Sequence, residues 1–273
     1  MLRRQDHDRY LTCLFSPAGP RAALFALYAF NLEVAKTAEV VSERMLGQIR
    51  LQWWRDAIAG IYEGQPRAHE VVDALAAAIA RHDLSRVHFE RLIDAREADL
   101  APEGPADLKV LEDYARETSA RLLWLVLEAL EAEAGEGGPA HRAAEAVGIA
   151  WALTGLLRAV PFHASQKRLM LPADLARDCG LKTGDLFELR TMPELRELSR
   201  NLAAHAETYL SRAREHRRAI PKRALPALRL ATLAQGHLAT LRRAGYDPFD
   251  ARVQRRPAGG AWRLAWASLL GQY

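Results

Sequence analysis

Residues 147–172 read VGIAWALTGLLRAVPFHASQKRLMLP. From Ala146 to Leu157 twelve consecutive residues carry no charge, and the run then meets Arg158 abruptly. Pro161, His163, Lys167 and Arg168 follow before the stretch closes on Leu171-Pro172. An uncharged run of this length has no polar face to give to water, so it reads as a helix surrounded by other helices. Pro161 lacks a backbone N–H and removes one helical hydrogen bond, which predicts a kink or a stop at that point. The polar groups that follow would sit where the helix leaves the core, a suitable place for chemistry.

On either side of this stretch the chain repeats the helical pattern. Residues 21–43 place Leu24, Phe25, Leu27, Tyr28, Phe30, Leu32 and Val34 around most of a helix, interrupted by Asn31, Glu33, Lys36 and Glu39. Residues 43–62 carry a stripe of Leu46, Ile49, Trp53, Ala57 and Ile61, ended by Gly64 and Pro66. An alanine-rich helix is expected over 68–81, and a helix capped by Ser85 over 85–100. Asp107 is placed to cap a long helix to Ala134 that contains Tyr114 and the apolar run Leu122–Leu127. Gly135, Gly137, Gly138 and Pro139 then break the pattern. Short helices are expected at Ala173–Cys179 and near Leu186, and long ones from Pro193 to Ile220 and from Pro226 to Gly245. A last helix carries Trp262, Leu264, Trp266, Leu269 and Leu270. No alternating run and no fixed repeat is visible, so the expected class is all-α, a helical bundle forming one domain over residues 1–273. A weaker boundary near 135–140 is the alternative.

The hydrophobic fraction of 49% and charged fraction of 26% are those of a soluble globular chain. The net charge of +4 is small enough for an ordinary solvated surface, and no recognised nucleic-acid motif appears, which argues against a nucleic-acid partner. Two cysteines, Cys13 and Cys179, give no disulfide framework and fit a reducing compartment. MLRRQDHDRY has no apolar run after its basic residues, and no stretch of about 18–20 apolar residues is evident. The expected location is cytoplasmic, with peripheral contact at an inner membrane as an added expectation.

ALFALYAF (23–30) and GIAWALTGLLRAV…KRLMLP (148–172) resemble the two motif helices of the squalene/phytoene synthase superfamily. The resemblance implies a bundle of the isoprenoid synthase type around a central cavity. In that family two DxxxD motifs face one another, because Mg²⁺ bound by carboxylates and diphosphate oxygens assists departure of the diphosphate. Here the paired positions hold Ala35 and Glu39 in the first motif and Ala159 and His163 in the second, with Lys36 inside the first. The family's serine-containing phosphate contact corresponds to Asp6-His7-Asp8, whose carboxylates suit a diphosphate badly. A closer resemblance joins Tyr10-Leu11, Phe25-Ala-Leu, Ala29-Phe-Asn, Gln52-Trp-Trp-Arg-Asp, Arg96-Glu-x-Asp-Leu, Leu156-Leu-Arg-Ala and Leu171-Pro-x-Asp. It points to the branch formed by the mitochondrial complex I assembly factor and its bacterial relatives, and the lack of a presequence favours a bacterial member.

That branch implies a non-catalytic protein without a cofactor, acting in assembly of NADH:ubiquinone oxidoreductase, with complex I subunits or assembly proteins as partners. Two alternatives stay open. One is a prenyl-diphosphate transferase or its partner, which would need Mg²⁺. The other is a carrier holding an isoprenoid or lipid in the cavity. The candidate anion- or cavity-facing residues are Arg158, Glu39, Glu33, His163, Tyr114, Lys167 and Arg168, with no metal ligands and no catalytic residue assigned. Each has a plainer alternative. Arg158 would pair with Glu33 or Glu39, and His163 would bond backbone at a helix end. Glu33 and Glu39 would join a charge network with Lys36, and Tyr114 would be a satisfied core aromatic. Lys167 and Arg168 would lie in a solvated loop. The basic run 212–223 suits an anionic lipid surface or an acidic partner, and Arg252, Arg255 and Arg256 with Trp262 and Trp266 suit a membrane interface. The plainer alternatives are a solvated helix for the first and tryptophans folded back onto the bundle for the second.

Overall fold

The computed structural model describes residues 1–41, 43–132, 137–215, 217–255 and 259–273, and among these there are helices and no strand. The longer helices are α1 (His7–Leu14), α2 (Arg21–Ala35), α3 (Arg44–Tyr62), α4 (Glu70–His82), α5 (Arg86–Ala95), α6 (Leu108–Ala115), α7 (Arg121–Ala129), α8 (Pro139–Ser165), α9 (Pro193–Glu215), α10 (Leu230–Arg243) and α11 (Gly260–Leu269). The helix α8 is the axis of the bundle. It packs against α7, α9 and α10, and Val147, Ile149, Ala150, Leu153 and Leu157 are fully enclosed. A five-residue π-helical turn, Arg116–Ala120, joins α6 to α7. Against it lies Gly148, where an added Cβ would stand 2.6 Å from the Ala120 Cα.

Several expectations need correction. Helix α8 runs through Pro161 to Ser165 instead of ending there. One missing N–H is tolerated in a 27-residue helix whose neighbours hold it on all sides. Its apolar window has a mean hydropathy of 1.4, long and apolar enough to cross a bilayer, contrary to the sequence expectation. Yet 67% of that window is buried, which marks it as the core helix of a bundle. The helix expected over 21–43 breaks at Lys36, resumes for Thr37–Val40 and becomes extended at Val41. The β-branched Thr37, Val40 and Val41 weaken helix there. Residues 96–100 tighten to a 3₁₀ turn. Beyond α6 the helix changes to the π turn and finishes at Ala129. The expected end at Ala134, and Gly135, fall outside the described residues.

Asp107 caps α6 as expected, accepting from the Val110 N–H at 2.8 Å. Ser85 precedes α5, but its hydroxyl donates to Glu128 on α7 at 2.5 Å instead of capping its own helix. The tryptophans of α11 do not fold back. Leu264 and Ala267 make that contact, while Trp262 and Trp266 are 81% and 67% exposed. Arg256 lies outside the described residues.

Candidate functional site

The motif-bearing segments converge where α2 breaks and α8 ends. Two loops are stitched together beneath them: Ala173 N–H donates to Pro105 C=O at 2.9 Å, and Asp174 N–H to Ala106 C=O at 3.1 Å. Gly104 permits this approach, since a Cβ there would lie 1.9 Å from the Leu169 carbonyl oxygen. The chain leaves α8 through Lys167, whose φ of 54° is left-handed. Its turn is closed by the Arg168 N–H donating to the His163 carbonyl at 2.9 Å. Arg168 is thereby delivered to the end of the 3₁₀ turn at 96–100, where its guanidinium donates to the Asp99 carbonyl.

Asp99 is the centre of this cluster and is buried. Its carboxylate accepts from the Tyr114 hydroxyl at 2.7 Å and from Arg96 at 3.1 Å, and Arg96 also donates to the Tyr114 oxygen at 2.7 Å. The three side chains close a ring of hydrogen bonds. Burial raises the Tyr114 phenol well above its ordinary range, against the charge of Arg96, so it stays protonated and donates. Glu39 stands at the rim, exposed, and makes no ion pair among the described residues. Its carboxyl is raised by desolvation, with Lys36 opposing and Asp99 adding to the rise. Desolvation first and the Arg168 charge second press the His163 imidazole down to about 4, and its Nδ1 has no hydrogen-bond partner. The space enclosed by Leu156, Val160, His163, Arg168, Leu171 and Leu186 is ≈ 10 Å³. That is room for about one water molecule at most.

Four of the seven candidates, Glu39, Tyr114, His163 and Arg168, therefore meet around Asp99. The other three do not. Lys167 is exposed in the turn. Glu33 lies on another face of α2 and pairs with Arg50 of α3 at 2.7 Å. Arg158 reaches neither glutamate; the carboxylate beside it is Asp8, at 3.7 Å. Arg158 and His163 are five residues apart on α8, about 140° around the helix, and so serve different faces.

On the Arg158 face, Asp8 bonds the buried His237 Nε2 at 2.8 Å. Burial alone would raise Asp8, but the His237 hydrogen bond, with the charges of His237 and Arg158, outweighs it and holds the carboxyl below its usual range. Asp6 caps α1 through the Arg9 N–H at 3.1 Å and pairs with the Arg9 guanidinium at 2.9 Å. The segment that the resemblance places at a phosphate contact is acidic and already paired with the protein's own cations.

Sequence reasoning passed over Asp99, Arg96, Asp8 and His237 as site residues. The first two lay within the quoted Arg96-Glu-x-Asp-Leu segment, where spacing of three puts acid and base on one side of a turn. Asp8 lay within the quoted Asp6-His7-Asp8 segment, but nothing local marked His237, 229 residues away, as its partner.

The donor set does not fit Mg²⁺. Of the four positions that the resemblance matches to the motifs only Glu39 offers a carboxylate, Lys36 stands near it, and Asp99 is engaged with Arg96 and Tyr114. Among the described residues no three His, Cys, Asp or Glu side chains gather as metal ligands would.

This is an isoprenoid-synthase architecture in which the polar end of the bundle is closed by its own side chains. The sequence profile of squalene/phytoene synthases matches residues 2–263, and the chain belongs to that family. It is 32% identical over 256 residues to NADH dehydrogenase (ubiquinone) complex I, assembly factor 6 of Bos taurus, covering 94% of this chain and 76% of that protein. The Homo sapiens protein of the same name is 31% identical over the same shares. Presqualene diphosphate synthase of Rhodopseudomonas palustris is 30% identical over 182 residues, covering 64% of this chain and 62% of that protein. A ligand-bound dehydrosqualene synthase structure superposes with a TM-score of 0.84, covering 98% of this chain and 93% of the other at 21% identity. That likeness is one of fold.

Proposed function

We propose that this chain is a non-catalytic member of the family that acts in assembly of respiratory NADH:ubiquinone oxidoreductase. The observation that carries the proposal is the self-contained ring of Asp99, Arg96 and Tyr114, with Arg168 laid over it, beside motif positions of which only Glu39 keeps a carboxylate. Groups already bonded to one another have little to offer a diphosphate or a metal without losing buried interactions. The similarity to assembly factor 6 over 94% of the chain supports the cellular role. The partners are then subunits or assembly proteins of that complex.

Removal of the gene from its host is expected to lower the amount of assembled complex, read as NADH-oxidising activity in native gels, and the wild-type chain should restore it. Normal levels in the deletion strain would sink the assembly role. The purified chain is expected to release no diphosphate from farnesyl or geranylgeranyl diphosphate, with or without Mg²⁺. A second reading, an enzyme of prenyl-diphosphate chemistry, is favoured by the similarity to presqualene diphosphate synthase. Magnesium-dependent release that disappears in Glu39→Ala would establish it instead.

A further inference from the structure

Helix α11 presents its apolar residues on the wrong side for a core. Leu264 and Ala267 face the bundle, while Trp262, Trp266, Leu269 and Leu270 are 81%, 67%, 80% and 50% exposed. Their spacing of four, seven and eight residues from Trp262 places them on one stripe of the helix. Trp262, Trp266 and Leu270 of this stripe border a groove of ≈ 1010 Å³ between α11, α10 and the end of α9. Its walls carry Arg214, Arg217, Arg218 and Arg263, and among the described residues no acidic one lines it. Arg214 is engaged inward, donating to the Tyr273 carbonyl and to Gln235, both at 3.1 Å. Arg217, Arg218 and Arg263 are exposed. Glu215 lies on the adjoining surface.

We infer that this face docks onto the surface of a bilayer containing anionic phospholipid. The charge of the groove selects phosphate-bearing headgroups, which meet the arginines. The tryptophans and leucines project from the helix instead of sitting in sockets. A headgroup–acyl boundary accepts such protruding side chains without a matched pocket, and tryptophan prefers that boundary. An amphipathic helix whose exposed apolar stripe is flanked by arginines, here Arg263 and those of the neighbouring turn, lies in the plane of the interface. A monomer that left so contiguous an apolar stripe in water would carry an association liability. The inference does not depend on the assembly role, since it concerns a face remote in sequence from the motif residues.

The test is flotation of the purified chain with vesicles of phosphatidylcholine alone and of equal parts phosphatidylcholine and phosphatidylglycerol. Binding is expected to the mixed vesicles only, and to weaken as salt rises. Arg217→Gln with Arg218→Gln is expected to lower the affinity about thirtyfold. Trp262→Ser with Trp266→Ser should abolish binding while leaving the thermal midpoint unchanged, because neither ring is packed. Failure of the wild-type chain to bind the mixed vesicles, or equal binding by both variants, would overturn the inference. So would sedimentation showing a dimer that the tryptophan substitutions dissolve, which would make the face a contact between copies.

Discussion

Asp99, Arg96 and Tyr114 form a closed set, and removing one member strands the others. Tyr114→Phe deletes the hydroxyl bridging acid and base and is expected to cost about 1–2 kcal/mol in urea unfolding. Asp99→Ala leaves a buried guanidinium without its carboxylate, and a loss of about 3–5 kcal/mol is expected. Glu39→Ala, at the exposed rim, should stay within about 0.5 kcal/mol of the wild type. That contrast separates a structural cluster from a chain of equal motif residues. Two histidines add a pH dependence. Desolvation, followed by the Arg121 charge for His88 and the Arg168 charge for His163, brings both to about 4 from 6.5. Between those values the unfolded chain binds more protons than the folded one, so these groups make stability fall as pH drops from 6.5 toward 4. The urea midpoint measured across that range should fall less steeply in His88→Gln with His163→Gln. An unchanged slope would mean that neither imidazole is held neutral.

At the scale of elements, α8 and the π turn depend on a close approach at Gly148. An alanine there meets the backbone of Ala120 at 2.6–2.7 Å, which cannot move aside as a flexible side chain would. Gly148→Ala is expected to destabilise the protein by about 1–3 kcal/mol, as overpacking does, seen as a lowered denaturation midpoint. The break of α2 at Lys36 has a different consequence. Before the break Glu33 pairs with Arg50, and beyond it Glu39 stands exposed without an ion pair among the described residues. Helix positions and types were legible from period and punctuation: Asp107 caps where expected and α3 begins and ends within a residue of its reading. The π turn was not legible, because one extra residue per turn leaves composition unchanged and appears only as a shift of face.

For the whole molecule, the family, the all-α class and the bundle around α8 were all readable from residues 147–172 and their flanks. An uncharged run has to be enclosed, whatever encloses it. The identities Ala35, Glu39, Ala159 and His163, at the positions that the resemblance matches to the DxxxD motifs, were equally plain in the sequence. The tertiary structure decided which charges meet. It paired Arg158 with Asp8, left Glu33 to Arg50, and gathered Glu39, His163 and Arg168 around Asp99. It also turned Trp262 and Trp266 outward from a helix whose sequence allowed either orientation. The physical reason is range. Helical periodicity is set by neighbours three and four residues away and is written in the local sequence. The partner of a charge, or the side of a helix left facing water, is set by whichever segment packing brings alongside, here as far as 229 residues away for Asp8 and His237.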